Sequence, residues 1–143
     1  MLLTIGGCLN QNNDLSSTET EDRLRGIVER TADLLPDQEW RRSAGEPDEE
    51  LCGENDRVRF TWSIVADPGT EHLRDAQRVR QKWDDLGMDV RLVEEPNPVV
   101  YATGAELERM YFSTGPGLYV IAGTSLCAAE DPHAVERRPT SAH

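Results

Sequence analysis

A chain of 143 residues has the length of one domain, and 37% hydrophobic residues, with three Trp, three Tyr and two Phe, furnish one modest core. Its 27 acidic and 15 basic residues leave a net charge of −12, which argues against nucleic-acid binding and against anionic headgroups, since both need clustered cations. No run of about 20 apolar residues is present to span a membrane as a helix.

The acidity is uneven. Residues 1–56 hold 14 Asp/Glu against five Arg, which reads as solvated segments ahead of the core rather than an acidic cleft. Lys82 is the single lysine, a bias of genome or salt adaptation rather than of a binding site.

At the N-terminus, Ile5-Gly6-Gly7-Cys8 resembles a bacterial lipobox, with an aliphatic residue three before the Cys and two small ones between. The resemblance implies cleavage before Cys8 and a diacylglycerol thioether on its sulfur. Small residues are required because the peptidase must reach the bond beside an acylated sulfur. A secretory signal has a positively charged start and an apolar region of about 7–15 residues, whereas only seven residues precede Cys8 and none is basic. Residues 1–8 are therefore read as a truncated lipoprotein signal remnant, with the true start codon expected upstream of Met1. The alternative is an accidental match in a cytosolic protein whose Met-Leu-Leu-Thr-Ile is a frayed strand. Residues 9–19 read as a flexible polar tether.

The spacing of Leu24, Ile27, Val28, Thr31 and Leu35 predicts a helix over 18–35, with Thr18 and Glu21 as a capping box and Pro36 as the stop. Residues 37–56 read as an irregular connection in which Trp40 packs inward. Strict alternation makes 57–66 the clearest strand: Val58, Phe60, Trp62 and Ile64 point to a core, and Arg57, Arg59, Thr61 and Ser63 point away. Asp67-Pro68-Gly69-Thr70 turns into a second helix, about 70–86, whose inner face is Leu73, Ala76, Val79, Trp83 and Leu86, with Gly87 as a left-handed cap.

Further strands are expected at 89–95, 99–102, 106–113 and 118–125, punctuated by Pro96-Asn97-Pro98, Thr103-Gly104 and Gly115-Pro116-Gly117. A strand–helix–strand unit normally joins parallel strands by a right-handed crossover, and the short turns after it imply antiparallel pairing. The expected fold is α+β in the order α-β-α-β-β-β-β, a mixed, mainly antiparallel sheet of four to five strands with two helices on one face. It divides the chain into the remnant 1–8, the tether 9–19, one domain over 20–127 and a disordered tail over 128–143.

Three cysteines divide as one plus two, which fits a lipidated Cys8 and a Cys52–Cys127 disulfide stapling the two ends of the domain in an oxidising compartment. The alternative is a pair of unpaired buried thiols in a cytosolic protein. Cys8, Cys52, the helix Leu73–Leu86, Gly104-Ala105-Glu106-Leu107 and Thr124-Ser125-Leu126-Cys127 together resemble the layout of small actinobacterial lipoproteins. The likeness is greatest to the mycobacterial LppA-like group. It covers most of residues 8–127, by layout and short motifs, and it implies a lipid-anchored envelope domain. It carries no enzymatic activity with it.

No chemistry-bearing motif competes with that reading. His72, His133 and His143 lack metal-ligand spacing, Cys52 and Cys127 lack a CxxC partner, and no P-loop or nucleophile elbow occurs. Asp84/Asp85 and Glu94/Glu95 are neighbours whose side chains diverge, as solvated surface charge does. Trp62 and Trp83 sit at core periodicity and are assigned to the core rather than to a ligand pocket. Tyr101, Tyr111 and Tyr119 lie on the later strands, where those on the open face form a contact surface. The expectation is a non-catalytic domain without cofactor or metal, held at the extracytoplasmic side of the cell membrane through Cys8. It binds a protein or small-molecule partner and no nucleic acid. The alternative is a cytosolic acidic interaction module without the anchor. A hydrolase would require His72 to meet an Asp or Ser in a pocket.

Overall fold

Ser16 starts the first helix: its hydroxyl accepts from the Glu19 amide at 3.2 Å, and the Glu19 carboxylate accepts from the Ser16 amide at 2.9 Å. This is seen in a computed structural model that describes residues 15–42, 45–53 and 57–129. The helix, α1 (Ser17–Asp33), is capped by Ser16, two residues before the expected Thr18, and its first turn buries Ser17 and Thr20. Thr20 donates to the Ser17 carbonyl at 2.9 Å and Thr31 to the Ile27 carbonyl at 2.7 Å, so these buried hydroxyls stay satisfied. Leu24, Ile27, Val28, Thr31 and Leu35 are all buried, as their spacing predicts.

The remaining elements are β1 (Asp48–Leu51), β2 (Arg57–Ala66), α2 (His72–Asp85), β3 (Asp89–Val93), β4 (Val99–Gly104), β5 (Leu107–Ser113), β6 (Tyr119–Ser125) and β7 (Ala128–Ala129). The fold is α+β. Its sheet runs β1-β2-β6-β5-β4-β3, with β7 continuing along β2 after β6, and every pairing between these strands is antiparallel. Strands β2 and β3 point the same way but are not neighbours. The meander β3–β4–β5–β6 fills the space between them, so α2 carries the chain to the far edge of the sheet.

Two strands lie where none is expected. Asp48-Glu49-Glu50-Leu51 has no strand composition and is exposed throughout; it is held by pairing with Val58–Thr61 and by the Glu50–Arg59 ion pair. Ala128–Ala129, at the start of the expected tail, pairs with Arg57 and Val58. Ala129 also bridges Ser16, so the ordered domain extends beyond 20–127 at both ends. The remnant 1–8, most of the tether and the tail from 130 lie outside the described residues.

Both helices cover one face of the sheet. The core between them holds Val58, Phe60, Trp62 and Ile64 from β2 with Ala76, Val79 and Trp83 from α2. Trp83 donates its indole N–H to Thr31 Oγ1 at 2.8 Å, joining the two helices. Gly123 permits the close seating of α1 on the sheet, because a Cβ there would collide with Met110 Sδ and lie 2.8 Å from Leu24 Cδ1. Leu73 departs from expectation: it is 39% exposed, and its neighbour His72 is the first-turn residue of α2 that meets the sheet, at Tyr119. Gly87 takes the expected left-handed cap at φ +87°.

Candidate functional site

The sheet face opposite the helices is uncovered among the described residues. Strand pairing places Arg91, Tyr101, Tyr111, Ala122 and Ser63 in one row across β3, β4, β5, β6 and β2. A second row runs from Asp48 through Thr61 and Thr124 to Arg109. Directly opposed residues share a face, so both rows present their side chains on the open side. Arg109 reaches this row through a bulge: the register shifts between Leu107 and Arg109, leaving Glu108 as the extra residue.

Tyr101 and Tyr111 are 41% and 39% exposed, large aromatic surfaces on an otherwise well-filled domain. The Arg91 guanidinium lies 4.7 Å from the Tyr101 ring centroid and holds that ring in a cation–π contact. Arg59 bridges Glu50 and Glu108, and Arg109 pairs with Glu108 at 3.1 Å. Beside Tyr111 a groove of about 290 Å³ is lined by Asp48, Thr61, Ser63, Arg109 and Thr124.

Tyr119 is the correction among the three candidate tyrosines. It begins β6 on the helix-facing side, is fully buried, and packs edge-on against Phe112 and His72. Its hydroxyl donates to Asp75 Oδ2 at 2.6 Å. Burial, and then the carboxylate beside it, raise its pKa well above the ordinary tyrosine value. It is a core residue, not a contact residue.

A second, polar cavity of about 470 Å³ lies at the β2–α2 turn, lined by Asp37, Gln38, Glu71, Arg74, Asp75 and Arg78 among others. His72 sits beside it, but its Nε2 meets the Gly69 carbonyl at 2.9 Å and serves the turn. Asp75 is engaged by Tyr119 instead. These contacts account for the turn as structure. They assemble no nucleophile with a base. Among the described residues no group of three His, Cys, Asp or Glu side chains is placed to hold a metal.

Cys52 and Cys127 are bonded, with their Cα atoms 6.0 Å apart and a sequence separation of 75. Cys8, His133 and His143 lie outside the described residues. Among the described residues no helix is long and apolar enough to cross a membrane.

Alternation in β2 exposes Thr61 and Ser63 to a sequence reading. Asp48 and Arg109 carry no such signal, the first because β1 lacks strand composition and the second because a bulge sets its face. Comparison with models of known families, with curated proteins and with solved structures finds no match.

Proposed function

We propose that this chain is a lipid-anchored domain on the extracytoplasmic face of the cell membrane, of the small actinobacterial lipoprotein kind and most like the LppA-like group. It is non-catalytic and binds a partner or small ligand on its open sheet face. The observation that supports binding is the one-sided sheet: both helices cover one face while Tyr101 and Tyr111 are 41% and 39% exposed on the other. The Cys52–Cys127 bond supports the location, since such a bond persists in oxidising compartments.

The geometry of attachment follows from the lipid on Cys8. Seven residues lie between Cys8 and Ser16, eight chain steps with a reach of at most about 28 Å when extended. Ser16 bridges Ala129, next to the Cys52–Cys127 bond, so that end of the domain faces the bilayer. The turns at 67–71, 94–98 and 114–118 face away from it, and the open sheet face stands upright and accessible.

Intact mass of the protein from membrane and soluble fractions of its own host tests this reading. The expected species is membrane-bound, begins at Cys8, is heavier by a diacylglycerol and lighter by the two protons of one disulfide. Soluble protein retaining Met1 and three free thiols would overturn it in favour of a cytosolic acidic interaction module.

A further inference from the structure

Four side chains around the groove beside Tyr111 are notable for what they do not bond. Asp48, Thr61, Ser63 and Thr124 have no hydrogen-bonding or ionic partner within the described protein, although they converge on one concavity of about 290 Å³. Thr124 is only 5% exposed and sits on its floor. Thr61 is half-buried, and Ser63 and Asp48 are exposed. All four side chains leave their hydrogen-bonding groups to water or to an occupant of the groove.

The surroundings narrow the chemistry of that occupant. Tyr111 stands at the edge with a broad, exposed ring face, able to cover the apolar face of a flat molecule while its hydroxyl stays wet. Asp48 brings one negative charge and Arg109 one positive, the latter partly neutralised by Glu108, so the groove carries no large charge of either sign. In a protein of net charge −12 this does not attract a polyanion. The groove also lies on a sheet face rather than a sheet edge, so it offers side chains and no free backbone ladder. That disfavours capture of a peptide as an added strand. Its volume lies at the low end of small-molecule sites, about 300–1,000 Å³. A molecule with an apolar ring face and a rim of hydroxyls, neutral and one or two rings long, meets every one of these conditions.

From this we infer that the groove formed by Asp48, Thr61, Ser63, Arg109, Tyr111 and Thr124 is a saccharide-binding site. A pyranose ring stacks on Tyr111, Asp48 accepts hydrogen bonds from two of its hydroxyls, and Thr61, Ser63 and Thr124 exchange bonds along the floor. The assignment rests on the proposed non-catalytic binding role of the open face, and it names the class of ligand for that face.

The test is amide chemical-shift mapping of the full chain titrated with maltose, mannobiose and N,N′-diacetylchitobiose at concentrations up to tens of millimolar. At least one is expected to shift Thr61, Ser63, Tyr111, Ala122 and Thr124 saturably, leaving the β2–α2 turn unmoved. Tyr111→Phe keeps the ring and is expected to retain binding, whereas Tyr111→Leu loses roughly tenfold in affinity. Asp48→Asn is expected to lose roughly tenfold or more, because a charge-assisted acceptor becomes neutral. Tyr111 is exposed, so both of its variants keep the fold, which the unperturbed remainder of the spectrum verifies. Absence of saturable shifts with all three sugars overturns the saccharide assignment, as does equal binding by Tyr111→Phe and Tyr111→Leu. Tyr101→Ala with Tyr111→Ala, tested for capture of envelope components, reports separately on the open face. Capture that is lost in the double variant while no sugar binds would sink the saccharide and spare the binding role.

Discussion

Tyr119 carries its ring fully buried and its hydroxyl on Asp75, and both circumstances hold the proton on the phenol. In the unfolded chain the same group ionises near pH 10. Above that pH the unfolded state therefore sheds a proton that the folded state keeps. The contribution is complete below about pH 10 and is lost as pH rises further. Tyr119→Phe is expected to cost about 0.5–1.5 kcal/mol at neutral pH, through the lost bond to Asp75. Urea unfolding across the alkaline range should then show a shallower decline for the variant than for the parent. An identical decline would mean that another group drives the alkaline limb. The sequence signalled the aromatic character of Tyr119 but not its face. Which way Tyr119 points depends on how the Gly115-Pro116-Gly117 turn sets the strand after it, and a turn has no periodicity to read. Val58, Phe60, Trp62 and Ile64 were legible because eight consecutive residues, Arg57 to Ile64, alternate without interruption.

Among the elements, the β4–β5 turn shows the same dependence on local backbone. Gly104 pairs with Leu107, and the two residues between them, Ala105 and Glu106, have φ of 53° and 66°. Both angles are left-handed, as a two-residue hairpin of the type usually made by Asn-Gly requires. A non-glycine residue there costs roughly 1–2 kcal/mol. Glu106 recovers part of that through its ion pair with Arg23, but both side chains are more than a third exposed and such a pair contributes about 0–1 kcal/mol. Glu106→Gly is therefore expected to raise the thermal midpoint by a few degrees. A fall would show that the ion pair outweighs the backbone. The turn itself was legible, placed at Thr103-Gly104 because glycine marks it, and it lies one to two residues further on. Strand β1 was not legible at all. Asp-Glu-Glu-Leu is a strand only because β2 offers it partners, and no local preference announces that.

For the whole molecule, α+β class, helix placement and the order of the elements other than β1 and β7 were legible because they rest on long periodic segments. The seating of β2 beside β6 was not, since it depends on the number of strands between β2 and β3. The Cys52–Cys127 bond ties that arrangement at one end, closing a loop of 75 residues. Its reduction is expected to remove roughly 4–5 kcal/mol, read as a lower urea midpoint in thiol-containing buffer. An unchanged midpoint would mean that β7 and β1 hold without it.

The sheet order also has a temporal side. Strands β3, β4 and β5 each pair with their immediate successor through a short turn, whereas β2 must find β6 across more than fifty residues of intervening chain. Closing short loops costs less entropy than closing long ones, so the meander assembles before β2 docks. A cavity made in the meander, Phe112→Leu, should slow refolding. One made at the docking strand, Phe60→Leu, should chiefly hasten unfolding. Stopped-flow chevrons of the two variants would tell them apart. The strand that carries Thr61 and Ser63 would then be the last to arrive, and the open face would exist only once folding is complete.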